Sequence, residues 1–381
     1  MDSTKDYLAK KLNSDHQDLI HDISFDLFGK RFATCSSDQC VQVWDLDENG
    51  DWQKTACWKT HSGSVWKVTW AHPQFGQVLA TCSFDKTACI WEERVVENAS
   101  NKVEHIWVNK ANLVDSRSFV KDVKFAPKHL GLQLATCSEK GVVRIYEAPD
   151  EMNLTQWSMQ DQVECKISCS CISWNPSTYR YHSPMIAVGS DDSNSSSGGK
   201  VFILQYNDTV RDWIKISTIM IITDPVSDVS FAPNPALKYH RLAVASKDLH
   251  IFHLKPMNED NDPNYDIQNT SYEHNLQEVA VLPDHRCEVT GLSWNETGTG
   301  LISAGVDGQI FLWKANYLGI WKKIGSLKGE IASPAEPQTF PQNNSLTAVA
   351  INNRINFRRF TQGRPPPPVR PLAPKFAGAY Y

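Results

Sequence analysis

The sequence of 381 residues lacks long apolar stretches and a recognisable export signal. No apolar run approaches the roughly 18 residues that indicate a membrane-spanning helix. The first residues, from Met1 to Asp6, hold no basic region followed by an apolar one, so they do not resemble a secretory signal. Together with a 41% content of hydrophobic residues, these absences predict a globular protein of the cytosol or nucleus with no transmembrane segment.

The sequence also lacks the signatures of an enzyme active site. We find no nucleophile beside a general base, no phosphate-binding glycine loop and no paired C-x2-C spacing. Three cysteines cluster at Cys165, Cys169 and Cys171, but their spacing does not suit a zinc site. We therefore predict a protein that is not an enzyme and that has no cofactor, no catalytic residues and no metal ligands.

The sign of the net charge differs between the body of the protein and the end of the chain. The net charge is -5, yet the tail from Gly329 onward contains six basic and only two acidic residues. The body of the protein is therefore more acidic than the whole, which argues against nucleic acid as its primary ligand. The tail is rich in Pro, Gln and Asn, and we predict that residues 329–381 form a disordered, Pro-rich basic tail.

A pattern of short strands recurs six times between the two ends. Each copy has an inner strand ending on an aromatic residue, a second strand of small residues, and a third strand that usually ends on a large apolar residue. The third strands are predicted at residues 40–44, 88–91, 142–146, 201–204, 250–252 and 309–313. A fourth, more polar strand follows in every copy. This organisation predicts an all-β propeller with six four-stranded blades.

The repeat accounts for residues 16–328, and no strand is left over to join the last copy to the first. Residues 1–15 form a lead, in which residues 7–13 are more typical of a weakly amphipathic helix or a disordered segment than of a strand. The sixth copy already contains its own outer strand, from Trp321 to Leu327. Closed propellers commonly mix strands from both termini in one blade. We therefore predict that the first and last blades face a gap, or that they close by face packing alone.

A gap of this kind would expose apolar side chains on the first and last blades. Each side chain left in water forgoes about 1.5–3 kcal/mol, so the gap favours recruitment of a strand-rich segment from another chain. The candidate residues of this partner interface are Ile23, Phe25, Val43, Leu292, Trp294 and Phe311.

Several strings within the repeats resemble the Seh nucleoporin family of WD-repeat proteins, which is related to the Sec-thirteen coat protein. These strings lie at residues 61–73, 125–132, 146–150, 154–157 and 169–176, and the likeness extends over residues 16–328. The chain departs from the family pattern at Glu139, which replaces the usual turn Asp, and at Leu204, which replaces the aromatic residue.

The resemblance implies an open six-bladed propeller whose seventh blade is supplied by a helical scaffold protein. In the nuclear pore that partner is an α-solenoid nucleoporin of the Y-shaped complex, and in the GATOR complex upstream of the TOR kinase it is a Mio-type subunit. The implied role is a non-enzymatic scaffold in pore assembly, nucleocytoplasmic transport and nutrient signalling. The implied locations are the nuclear envelope at the nuclear pore complex, the cytoplasm, and the surface of the lysosome or vacuole membrane.

WD repeats fix a tight turn with an Asp that hydrogen-bonds to a preceding His, and the resemblance implies such structural roles here. His61, Asp85 and Trp91 form one predicted set in blade two. The matching turn and blade residues of blades one and six are Asp38, Trp44, Asp307 and Trp313. Their regular recurrence favours structure over catalysis, because an active site needs a constellation that differs from blade to blade.

A different function stays open on the residues alone. A closed propeller, fastened by the N-terminus or by a strand at residues 346–351, would act as a peptide-reading adaptor through its top surface. Trp66 and Phe84, at positions where neighbouring copies carry other residue types, are candidate ligand anchors. In the tail, the segment from Pro365 to Arg370 has the P-x-x-P-x-R pattern that docks on SH3-type grooves, although a solvated tail is the favoured interpretation.

Overall fold

The computed structural model describes residues 11–97, 103–178, 182–233, 239–256, 274–328 and 345–347. Within these ranges the chain contains β-strands and three short 3-10 helices, at Pro73–Phe75, Lys128–Leu130 and Ser195–Ser197. None of the helices described there is long and apolar enough to cross a membrane. The strands form six four-stranded sheets and one two-stranded sheet. The predicted all-β propeller with six blades is confirmed.

Each blade is an antiparallel meander in which four strands pair in chain order. The first strand among the described residues is β1 (Lys11–Asn13). The first strand of every blade after blade one contacts that of the blade before it, around the centre of the ring. Blade one contains β2 (Ile20–Phe25), β3 (Arg31–Ser36), β4 (Cys40–Leu46) and β5 (Trp52–Lys59); blade two contains β6 (Val65–Trp70), β7 (Val78–Ser83), β8 (Ala88–Glu97) and β9 (Val103–Leu113); blade three contains β10 (Val120–Phe125), β11 (Gln133–Ser138), β12 (Val142–Glu147) and β13 (Ser158–Glu164).

The second half of the ring repeats this order and is followed by one further strand, β26 (Ser345–Thr347). Blade four contains β14 (Cys171–Trp174), β15 (Met185–Gly189), β16 (Val201–Asn207) and β17 (Asp212–Ile219); blade five contains β18 (Asp228–Phe231), β19 (His240–Ala245), β20 (Leu249–Pro256) and β21 (His274–Leu282); blade six contains β22 (Val289–Trp294), β23 (Gly300–Gly305), β24 (Gln309–Ala315) and β25 (Trp321–Lys328).

Burial differs between the strands of a blade because the middle strands pack on both faces and the outer strand lies at the rim. Every residue of β7 is buried. In the outer strand β5, by contrast, Trp52 is buried, the next three residues are exposed, and exposed and half-buried residues alternate only after them. The small residues of the second strands therefore form the core, and the polar character of the fourth strands follows from contact with water.

A polar lock joins the blades at every second seam. Between blades three and four, Asp122 accepts a hydrogen bond from the backbone N–H of Ile172 at 2.8 Å, and the Trp174 indole donates to the carbonyl oxygen of Lys124 at 3.0 Å. The equivalent Asp and Trp residues are Asp22 and Trp70 between blades one and two, and Asp228 and Trp294 between blades five and six. The same Asp and Trp lock therefore recurs in three pairs of blades.

The sixth blade and the first do not meet as the other neighbours do. Along the described chain, the inner strands β2, β6, β10, β14, β18 and β22 contact one another in turn, but no contact of similar extent joins β22 to β2. The ring of six blades is open at this point.

The two-stranded sheet corrects the prediction for the start of the chain. β1 pairs antiparallel with β26, and Leu12 lies opposite Leu346 in the backbone register. β1 is therefore a strand rather than a helical or disordered lead. β26 lies in the tail predicted as disordered, and it includes the first two residues of the possible strand at 346–351. Burial of Leu12 against large side chains of blade one explains the extended conformation. The cluster consists of Leu12, Phe32, Trp44 and Trp52.

Most of the predicted lead and tail cannot be compared with the structure. Residues 1–10, 329–344 and 348–381 lie outside the described residues, and with them most of the possible strand at 346–351 and the segment from Pro365 to Arg370.

Candidate partner-binding edge

The face of blade six that points away from blade five carries four apolar side chains, most of which the described residues cover only in part. In β24, Trp313 packs in the apolar cluster shared with blade five, so the alternate residues Ile310 and Leu312 point to the opposite face. Cross-strand pairing adds Ala304 opposite Ile310 and Ile302 opposite Leu312 on that face. Of these four residues only Ile302 is buried; the other three are half-buried.

The matching face of blade one is completely covered. Val41 and Val43 hold the repeat positions of Ile310 and Leu312, and each is 0% exposed. Both belong to the apolar cluster that includes Val68 of blade two. All four residues are aliphatic, so the difference in exposure comes from the missing neighbour and not from the residue type.

Blade one forms the other side of the gap. Ile23 and Phe25 of β2 are half-buried and pack on the apolar cluster that Leu12 completes. The ring of Phe25 lies 5.3 Å from that of Phe32 and 5.8 Å from that of Trp52. This side is therefore covered in part by the chain's own first strand. We define the open edge as Ile302, Ala304, Ile310 and Leu312 of blade six with Ile23 and Phe25 of blade one.

The structure corrects four of the six residues that the sequence predicts at this interface. Val43 packs in the seam between blades one and two. The seam between blades five and six contains the other three, which are Leu292, Trp294 and Phe311. Adjacent residues of a strand point to opposite faces, so Phe311 lies on the face opposite that of Leu312. In β22, a register shift between Val289 and Gly291 hides which face Leu292 and Trp294 take. Ile23 and Phe25 lie on the blade-one side of the gap.

The predicted His, Asp and Trp of blade two form one hydrogen-bonded corner. Nδ1 of His61 lies 3.0 Å from Oδ2 of Asp85, and its Nε2 lies 2.8 Å from Oγ1 of Thr81, to which the Trp91 indole also donates. Burial opposes a charge on His61, but the hydrogen bond to Asp85 helps to outweigh it and the pKa rises to about 9. Burial also opposes a charge on Asp85, yet the bond from His61 holds its pKa below the usual range. The pair pins the turn, which is a structural role.

The corners of blades one and six hold the same residue types but differ in bonding. In blade one, Nδ1 of His16 lies 2.8 Å from Oδ2 of Asp38. In blade six, Trp313 donates to Oγ of Ser303 at 2.8 Å, as Trp91 does to Thr81. The histidine of the blade-six corner is His285. Its Nδ1 makes no hydrogen bond, so Asp307 does not hold this ring as Asp85 holds that of His61.

The two predicted surface anchors are partly exposed, and each packs against a ring of a neighbouring blade. Trp66 is 37% exposed and its ring lies 4.7 Å from that of His21. Phe84 is 46% exposed and its ring lies 3.7 Å from that of Phe119. Packing across the seams therefore accounts for one side of each ring, and the other side faces solvent.

Sequence reasoning missed the carboxylates that lock the seams. Asp22, Asp122 and Asp228 stand three residues before the Phe that ends the inner strand of blades one, three and five, whereas the inner strands of the even blades end on Trp. This alternation was a usable signal. Burial at the ring centre raises the pKa of Asp122 and raises that of Asp228 to about 6. Both are costly groups in this position, which fits a specific structural role.

Comparison with known proteins agrees with this architecture. The family of the WD domain, G-beta repeat, matches residues 9–45, 52–92 and 276–314. The chain is 58% identical to Nucleoporin SEH1 of Xenopus tropicalis, over 85% of this chain and 89% of that protein. It is 55% identical to Nucleoporin SEH1 of Homo sapiens, over 92% and 97%, and 53% identical to that of Danio rerio, over 91% and 93%. This chain therefore belongs to the nucleoporin SEH1 family of WD-repeat proteins.

Proposed function

We propose that the chain is a non-enzymatic scaffold subunit of the nuclear pore's Y-shaped coat and that its open edge receives a blade from a partner protein. The observation that carries the proposal is the exposure of blade six. Ile310 and Leu312 are half-buried, whereas Val41 and Val43 at the same repeat positions are 0% exposed. Family membership supports the placement at the nuclear pore.

The energetics favour a partner that brings strands. Covering a large apolar side chain contributes about 1.5–3 kcal/mol, less for residues that are already half-buried. The open edge holds several such side chains on two facing blades, so a sheet inserted between them would gain contacts on both faces. The partners we propose are an α-solenoid nucleoporin of the Y-shaped complex and, in the GATOR complex of TOR nutrient signalling, a Mio-type subunit. The second assembly extends the proposed locations to the cytoplasm and the lysosome or vacuole membrane surface.

A matched pair of substitutions tests the proposal. Leu312→Asp places a carboxylate on the open edge, and Met220→Asp places one on a side chain that is 68% exposed after β17, away from the gap. Each variant is purified from cells, and the recovery of the α-solenoid nucleoporin and of the Mio-type subunit is measured. We expect the first variant to lose both partners and the second to keep them. Equal recovery by both variants would remove the open edge from the proposal.

A second candidate function is favoured by one observation. β1 and β26 join the chain before blade one to the chain after blade six, as the self-closed adaptor requires. The exposed sides of Trp66 and Phe84 would then be its peptide-contacting surface. Trp66→Ala separates the candidates, because it should abolish peptide binding by an adaptor and leave the recovery of both scaffold partners unchanged.

A further inference from the structure

The corner of blade six contains a buried histidine nitrogen without a hydrogen bond. His285 is 4% exposed, and its Nε2 lies 2.7 Å from Oγ of Ser303. Its Nδ1 has no partner, although the equivalent atoms of His16 and His61 each lie within 3.0 Å of an Asp oxygen. Leaving a buried polar atom unpaired costs about 1–3 kcal/mol, so this corner differs from its counterparts in a way that packing does not explain.

Two further residues turn their ligand atoms to the same place. The donor atoms of His285, Cys287 and Asp307 all lie within 4.8 Å of one another, and no other group of three was found among the described residues. A Cβ built on Gly305 would lie 2.7 Å from His285 Nδ1, 2.8 Å from Asp307 Oδ1 and 3.1 Å from Cys287 Sγ. The three atoms therefore surround one small space that glycine leaves open.

This space arises from two departures from the other corners. Blades one and two carry Ser36 and Ser83 at the position of Gly305, and each serine oxygen accepts the backbone N–H of the turn Asp at 3.1 Å. In blade six the N–H of Asp307 is instead 3.2 Å from the sulfur of Cys287. Blade six therefore has Gly305 where the other two blades have serine, and it has the thiol of Cys287 nearby. The glycine leaves space beside His285 Nδ1, and the thiol supplies a second ligand atom at the same place.

We propose that His285 Nδ1, Cys287 Sγ and the Asp307 carboxylate bind a divalent transition-metal ion of the zinc type, with water as the fourth ligand. Imidazole, thiolate and carboxylate are the ligands of protein zinc sites. A thiolate and a carboxylate together balance the charge of the ion. A tetrahedral zinc ion holds its ligand atoms about 3.3–3.8 Å apart, so small side-chain rotations close the site.

The surroundings of His285 suit a metal ligand. When Nε2 donates its hydrogen to Ser303, the lone pair of Nδ1 points into the site, and ligating histidines commonly have such an outer partner. The Trp313 indole fixes the same serine oxygen from the other side. Cys287 and Asp307 are half-buried, so an ion can enter from solvent.

Cobalt and zinc titrations of the untagged full-length chain test the site. We expect one Co²⁺ per chain with the charge-transfer absorption of a thiolate-bound ion, displaced by Zn²⁺. Cys287→Ala should abolish this absorption and weaken zinc binding at least about 100-fold, because even loss of an outer partner costs about 10–100-fold. Cys57→Ala, which removes an exposed thiol in β5, is the control and should change neither quantity.

Gly305→Ser separates metal binding from folding. It recreates the serine of blades one and two, and its side chain fills the space between the three ligand atoms. The new Cβ would lie 2.7 Å from His285 Nδ1 and 2.8 Å from Asp307 Oδ1, so these side chains must shift. We expect loss of Co²⁺ binding together with a cooperative melting transition in chelator, which shows that the variant is folded. The proposal would be overturned if Cys287→Ala and Gly305→Ser both bound zinc as strongly as the unchanged chain. It would also be overturned if the unchanged chain bound neither ion.

Discussion

Val43 in blade one and Leu312 in blade six occupy the same position of the repeat, yet one is 0% exposed and the other is half-buried. Both are aliphatic, and both point toward the place where a following blade belongs. Blade two fills that place for Val43. For Leu312 none of the described residues fills it to the same degree. The open edge therefore has the composition of an interior seam, which is what a face built to receive a neighbour requires.

The largest expected effect comes from placing the same carboxylate at these two positions. Val43→Asp buries an unpaired charge in a closed seam, and we expect a loss of more than about 4 kcal/mol of unfolding free energy. Leu312→Asp leaves the carboxylate in contact with water, and we expect a loss of about 1 kcal/mol for the isolated chain. Chemical denaturation of both variants measures the difference. Similar losses at the two sites would mean that blade six is closed in solution.

A smaller effect should come from removing a seam lock. Asp122 is buried and accepts the backbone N–H of Ile172, so Asp122→Ala leaves that N–H without its partner. We expect a loss of about 2–3 kcal/mol of unfolding free energy. Glu151→Ala, at an exposed position, is the control and should change stability by less than about 0.5 kcal/mol. An unchanged midpoint of chemical denaturation for the Asp122→Ala variant would show that the locks do not stabilise the seams.

The strands could be predicted from the sequence because their signals are local. Three local patterns predicted the six blades: alternating side chains, turn residues and recurring aromatic ends. The predicted third strands fall within the observed ones, as at Cys40–Leu46 and Gln309–Ala315. The faces of the strands could not be predicted in the same way. A shift of one residue reverses every side chain, and register shifts occur inside β2, β6, β10 and β22.

Long-range pairing also escaped the sequence. Leu12 and Leu346 lie opposite each other in the backbone register across more than three hundred residues. Residues 346–351 have a strand-like composition, but residues 7–13 have no strand pattern of their own. Strand preference depends on what a strand packs against, and for β1 that is blade one. The seam carboxylates were recoverable by comparison between odd and even blades. The blade-six corner was not, because Gly305 contributes only by the absence of a side chain.

A weaker, pH-dependent effect distinguishes the two histidines His61 and His253. The raised pKa of His61, about 9, means that its contribution to stability is complete below the ordinary value of about 6.5 and is lost as pH rises through 9. The pKa of His253 is lowered to about 4, mainly by burial and also by the positive charges of Arg241 and Lys255. The contribution of the neutral ring to stability is therefore lost as pH falls from about 6.5 toward 4.

The measurement is the unfolding free energy of His61→Gln and His253→Gln across pH 4 to 10. In the unchanged chain we expect His61 to lower the unfolding free energy by about 1–2 kcal/mol as pH rises through 9, and His61→Gln should lack this decrease. His253→Gln should lack the decrease that occurs as pH falls toward 4. Each variant serves as the control for the other, because the two pH windows do not overlap. A His61 variant that keeps the full alkaline decline would contradict the ion pair with Asp85.

The smallest expected effect concerns β1 and β26, which link the segments on either side of the six blades in the described part of the chain. β1 and β26 contain three residues each, and backbone hydrogen bonds contribute about 0.5–1.5 kcal/mol apiece before the cost of ordering the segment is subtracted. Removing residues 329–381 should therefore lower stability by less than about 1 kcal/mol and leave recovery of the blade-donating partners unchanged. A shorter truncation that removes residues 348–381 keeps β26 and is the matched control. If only the longer truncation unfolds the chain, the two strands close the ring, and the self-closed adaptor becomes the better account of the open edge.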